Sequence, residues 1–72
     1  MYSYVVIEED FISDDYGEYK SYGFECHSNN EIVKKVSDLS LDKNEVEEFC
    51  RQLSFHNICP NDLSEYIEEF LV

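Results

Sequence analysis

Cys26, Cys50 and Cys59, with His27 and His56, are the side chains of this 72-residue chain that have the most chemistry to offer. Cys50, His56 and Cys59 follow the spacing C-x5-H-x2-C. Structural zinc sites prefer close ligand pairs, C-x2-4-C or H-x3-5-H, and this run contains neither. Cys50 also falls in the apolar stripe of a helix, where a thiol acts as a small hydrophobe. A calcium loop needs alternating Asp and Asn ahead of its glycine. Setting Gly17 as that glycine puts Ile12 and Tyr16 at ligand positions, so the pattern fails. What is left is a loose carboxylate group, Asp10, Asp14 and Asp15, to be weighed against a plain solvated acidic loop.

Nucleophilic catalysis needs a Cys next to a His that is itself oriented. Cys26 and His27 are neighbours on an expected strand, so their side chains point to opposite faces. Cys59 precedes an expected helix start, where the helix dipole favours a thiolate, but no base accompanies it. It is expected to be the most reactive of the three thiols. Paired carboxylates are abundant by composition alone and carry no information. The residues therefore imply no catalytic site, no cofactor and no metal ligand set, and a non-enzymatic protein.

The elements that would position these groups are legible from pattern. Tyr2 to Ile7 is β-branched and aromatic and predicts a strand. A long acidic connection follows, Glu8 to Glu18, closed by a turn at Asp15-Tyr16-Gly17. A second strand is expected from Tyr19 to His27, with Tyr22, Phe24 and Cys26 facing the core. Ser21, Gly23, Glu25 and His27 then face water. Gly23 inside that strand marks a bulge or a close neighbour. Ser28-Asn29-Asn30 makes a turn, and Glu31 to Val36 reads as a third strand. The spacing of Ile32, Val36 and Leu39 also fits a helix, and both readings stay open.

In the second half, Asp42 is placed to cap a helix with Glu45 at its third position. Val46, Phe49, Cys50 and Leu53 form its apolar stripe. His56-Asn57 end it, Ile58 plugs the corner and Pro60 opens a second helix. There Leu63, Tyr66, Ile67, Phe70 and Leu71 make a stronger stripe. The expected fold is a single α+β domain: a three-stranded antiparallel sheet followed by two amphipathic helices packed on one face, in the order β-β-β-α-α. Phe49, Leu53, Ile67 and Phe70 are expected to pack together between helices and sheet.

Three stretches carry a resemblance: Tyr22-Gly23-Phe24, Val36-Ser37-Asp38-Leu39-Ser40, and Ile58-Cys59-Pro60-Asn61-Asp62-Leu63 with its continuation Ile67-Glu68-Glu69-Phe70-Leu71. They are similar to a family of short proteins, a domain of unknown function, from spore-forming Gram-positive bacteria. In that family a YGI-like strand is followed by a DIS-D segment and an sP-HL-dvieDFL ending. The likeness covers roughly residues 18 to 72. Phe24 stands where an aliphatic residue is usual, and Asn61-Asp62 departs from a His-containing pattern. The resemblance implies the fold and no activity, and no functional residue is carried over.

Seventeen Asp and Glu stand against five Lys and Arg, a formal charge of −12. That exceeds the roughly 2 to 8 charges comfortable for a small domain. Phosphates would be repelled, so direct binding to nucleic acid or to an anionic membrane is not expected. With 43 % hydrophobic and 15 % aromatic residues the chain is not disordered. The N-terminal run lacks a signal-peptide pattern, and the odd cysteine count fits reduced thiols, so a cytoplasmic location is expected. The acid is uneven: residues 52–72 carry four acids and no base. Glu65, Glu68 and Glu69 share the outward face of the last helix, where like charges repel and the helix end disfavours anions. A rule broken without local gain points to a site. These three, with Glu8, Glu9, Asp10, Asp14, Asp15 and Glu18, are the expected contacts to a basic protein surface, such as that of a nucleic-acid-binding protein. In size and charge the chain resembles acidic phage-encoded inhibitors, among them DNA mimics and anti-CRISPR proteins. The alternative is a small regulatory or housekeeping protein, monomeric or homodimeric, whose charge serves solubility.

Overall fold

The computed structural model describes residues 1–71, an antiparallel sheet with two helices on one face. Three strands, β1 (Ser3–Ser13), β2 (Gly17–Ser28) and β3 (Glu31–Ser40), are joined in sequence order. Helix α1 (Lys43–Phe55) follows, then a 3₁₀ turn (Pro60–Asp62) that runs into helix α2 (Leu63–Leu71). This is the β-β-β-α-α order read from the sequence, with residues 31–37 in a strand rather than a helix.

Local chemistry explains the joints. Asn29 and Asn30 both have positive φ, 53° and 66°, which a two-residue type I′ hairpin turn requires and Asn tolerates. The carboxylate of Asp42 accepts the backbone N–H groups of Asn44 (2.9 Å) and Glu45 (3.4 Å). The backbone N–H of Asp42 itself donates to Ser40 Oγ, so Glu45 does not close a reciprocal box. At the other end Asn57 takes φ 49°, its N–H bonds the Ser54 carbonyl, and Ile58 N–H bonds the Leu53 carbonyl. That is a Schellman ending with Asn in the glycine position.

The acidic connection expected over Glu8–Glu18 is largely strand. β1 runs to Ser13, β2 starts at Gly17, and only Asp14, Asp15 and Tyr16 form the turn. Strand pairing tolerates these acids because this half of the hairpin leaves the core: Ile12 is 82 % and Tyr16 83 % exposed. Backbone bonds and cross-strand partners hold it instead. Phe11 sits opposite Tyr19 with ring centroids 5.5 Å apart, and Glu8 reaches Lys20 at 3.7 Å.

The core lies between one sheet face and the helices. Tyr4, Phe24, Cys26, Val46, Cys50, Leu53 and Leu63 are buried. Phe49, Ile67 and Phe70 pack against this core but remain half-exposed, because α2 covers its edge and not its centre. Tyr4 is the joint: its ring packs edge-on to Phe24, its hydroxyl donates to the Ile58 carbonyl (2.6 Å), and its N–H donates to Ser54 Oγ (2.9 Å). Tyr2 N–H donates to Asn57 Oδ1 (2.7 Å).

The other sheet face is not uniformly wet as expected, since Ser21 and Gly23 are buried. The cause is β3. Val36 pairs with Phe24 and Ser40 with Tyr22, so Ser37, Asp38 and Leu39 stand opposite Gly23 alone. The extra residues bulge, with Asp38 at φ 54°, and β3 presses on Gly23. A Cβ on Gly23 would collide with the Val36 carbonyl oxygen and lie 3.1 Å from Ser37 Cα. Gly23→Ala is therefore expected to cost about 3 kcal/mol, the upper range of overpacking. Gly17→Ala, at φ 72° in open space, should cost only about 1 kcal/mol. Urea midpoints of the two variants check this; equal losses would mean that β3 does not press on Gly23.

Candidate functional site

The nine acids singled out by sequence fall into two groups. Glu65, Glu68 and Glu69 are all exposed on α2, a helix of nine residues. Glu65 lies in its first turn, where the dipole favours an anion, so the dipole argument holds only for Glu68 and Glu69 in the last turn. The second group lies on the hairpin. Asp14 and Asp15 are at its tip, Glu8 and Asp10 are on β1, and Glu18 is on β2, all exposed. Glu9 separates from them. Its strand neighbours Glu8 and Asp10 face the helix side of the sheet, while Glu9 faces the other side and meets Lys35 at 3.1 Å. That ammonium holds the Glu9 carboxyl below its ordinary range.

Where the cations land decides which acids remain uncompensated. Lys20 pairs with Glu8, Lys35 with Glu9, Lys43 with Glu47 and Arg51 with Glu48. Four of the five Lys and Arg are thus engaged on the sheet or on α1. Among the described residues no cation lies within ion-pair distance of Glu65, Glu68 or Glu69. The fifth, Lys34, shares a cleft with Ser64 and Ile67 of α2 and makes no ion pair among the described residues, so the three carboxylates face water together.

Beside α2 lies a feature that the sequence reading missed. An open groove of about 610 Å³ runs between the helices, lined by Asn44, Glu45, Glu48, Phe49, Gln52 and Phe70. Phe49 and Phe70 form its floor, ring centroids 4.7 Å apart and tilted by 37°. Phe49 in turn meets Phe24 of the core at 5.9 Å. The apolar stripes contained both rings, but periodicity tells which way a side chain faces and not how deeply it is covered.

Cys26 and Cys50 are buried, Cys59 is half-exposed, and all three are free. Cys50 faces the core while His56 is exposed at the end of α1. Among the described residues no three His, Cys, Asp or Glu side chains converge as a metal site. Cys59 precedes the 3₁₀ turn and not α2 itself, so three residues separate it from the α-helical N-terminus, and its side chain makes no capping bond. Burial pushes the Cys50 thiol up to about 11, with Glu47 adding to the effect. Burial also holds the Tyr4 phenol well above its ordinary range, with Cys26 beside it. Cys59 is expected to react first with a thiol reagent, and Cys26 and Cys50 only on unfolding. The raised groups stay protonated in the folded protein while their unfolded counterparts ionise. The Cys50 contribution is therefore fully present below about pH 9 and is lost as the pH rises towards 11, and that of Tyr4 begins to fall at higher pH. Timed alkylation with mass spectrometry, and urea midpoints at pH 8 and 10.5, check both statements.

No described helix is long and apolar enough to cross a membrane. No curated protein and no solved structure is matched by the chain. A family model does match, and it spans residues 1–72, both the strands and the helices that form the groove. The chain belongs to that family, described as a family of unknown function, DUF6514.

Proposed function

We propose that the protein is a non-enzymatic binding module whose α2 face, Glu65, Glu68 and Glu69, docks on a basic protein surface in the cytoplasm, with the hairpin acids as a second contact region. One observation carries this reading: these three carboxylates stand exposed on one short helix with no ion pair among the described residues, while four of the five Lys and Arg of the chain are paired elsewhere. Repulsion between i, i+3 and i, i+4 carboxylates costs a few tenths of a kcal/mol per pair. A basic partner would reverse that cost and gain association rate by electrostatic steering. The finer form of the proposal makes the partner a nucleic-acid-binding protein and the chain an inhibitor of the DNA-mimic or anti-CRISPR kind, supported by size and charge.

Replacing Glu65, Glu68 and Glu69 together by Lys is expected to leave the fold intact and to raise its melting temperature slightly. The same change should weaken capture of the natural partner by well over tenfold, and wild-type capture should fall steeply with added salt. A variant that is more stable and still captures its partner would make the acid a solubility device.

A second reading is favoured by one feature. The sheet face away from the helices carries Val5, 48 % exposed, and Ile7, and β3 exposes Ile32 and Val33 at the sheet edge. A regulatory homodimer would bury these residues. Sedimentation velocity separates the readings: a dimer that Val5→Lys dissociates supports this one, and a monomer at all concentrations removes it.

A further inference from the structure

The groove between α1 and α2 has a shape and chemistry of its own. Its floor is a tilted aromatic pair, Phe49 and Phe70, tied to the core through Phe24. Because the pair is anchored there, its surface is preorganised and little side-chain freedom is lost on binding. Its α1 rim is Asn44, Glu45, Glu48 and Gln52. These positions form one row along α1 about 12 Å long, from the 1.5 Å rise per residue. That is two turns of helix. Glu48 is held in place on the rim by Arg51 and by Gln52 Nε2 at 3.1 Å, and Glu45 is exposed without an ion pair among the described residues. On the α2 side Glu69 directly precedes Phe70 and is exposed.

We propose that this groove seats a basic amphipathic helix of the partner, with one or two apolar side chains on the Phe49–Phe70 floor and Lys or Arg against the carboxylates of the rim. The proposal rests on the preceding reading of a basic partner and narrows it to a helical segment. A small-molecule site is a poor match, since such sites enclose most of their ligand and this groove is open along its length. Strand addition is a poor match too. The walls are helices, whose backbone groups are already bonded internally, so an extended peptide would find no edge to pair with. Helix-in-groove recognition needs what is present: a short apolar floor for anchors at i and i+4, and a polar rim that fixes orientation by charge. The acid rim selects the sign of the flanking residues, and the tilted aromatic floor suits Leu or Met.

The test uses two synthetic Lys/Ala peptides of equal length and charge as probes. One carries Leu at i and i+4, on one helical face; the other carries the same two Leu at i and i+2. Each is titrated into the 15N-labelled full chain at low salt. The first is expected to bind at least tenfold more tightly, with chemical-shift changes centred on Phe49, Gln52 and Phe70. Glu45→Lys and Gln52→Lys, both exposed and outside the core, should each weaken it fivefold or more. Equal affinity of the two peptides would overturn the groove and leave the general attraction to basic surfaces standing. Shifts confined to the hairpin would do the same. Binding of neither peptide would overturn the groove and the basic-partner reading together.

Discussion

The fold depends on the pin between the end of α1 and the beginning of β1. β1 is an edge strand, and the outward N–H groups of Tyr4 within it and of Tyr2 just before it would otherwise lack a protein partner. Asn57 and Ser54 accept them, and the hydroxyl of Tyr4 goes to the Ile58 carbonyl. Three backbone groups are thereby satisfied at one seam, and the aromatic ring that makes the seam also heads the core against Phe24. The two Tyr4 bonds are part-buried, and a buried polar group left unpaired costs about 1–3 kcal/mol. A domain of this size holds only about 5 kcal/mol or somewhat more in reserve. The helical ending at Asn57 is thus part of the same device: its left-handed residue stops α1 where its side chain can meet the strand.

The remaining architecture follows from how little core there is to share. One sheet face and α1 use the fully buried side chains, so α2 is held by half-covered rings and by Leu63. The distal hairpin has no share at all. It is held by strand pairing, the Phe11–Tyr19 stack and the ion pair of Glu8 with Lys20. Regions at the margin of a small core expose groups that a larger domain would cover. Here those margins are acidic on both α2 and the hairpin, and aromatic between the helices.

Much of this was legible because the signals were local. Asp42 announces a cap, Asn29-Asn30 a tight turn, and Gly23 a close neighbour, each through chemistry within a few residues. The stripes through Val46–Leu53 and Leu63–Phe70 gave the helices and the side they bury. What escaped was set by distant partners. Glu8 to Ser13 reads as a loop until Lys20 and Tyr19 are opposite it. β3 reads as ending at Val36 because the bulge around Asp38 breaks its alternation, and that bulge also buries Ser21, which alternation had assigned to water. On the candidate site, the exposure of Glu65, Glu68 and Glu69 was legible, but their isolation was not, because it depends on where Lys20, Lys35, Lys43 and Arg51 come to rest. Phe49 and Phe70 were placed on the right side and assigned too much depth.

The seam between β1 and α1 also has a bearing on time. Its three hydrogen bonds join residues 50 to 55 positions apart in the chain. As the polypeptide is synthesised, β1 is made first, and its hairpin with β2 can form early and locally. The half of the core that Tyr4 heads stays open until Ile58 has been made, when four-fifths of the chain exists. Loop closure over that separation must precede the contacts that reward it. The contacts that seal the Tyr4 end of the core are thus among the most distant in the chain, and the apolar face of the hairpin at Tyr4 is pinned only by residues that follow it by some fifty positions.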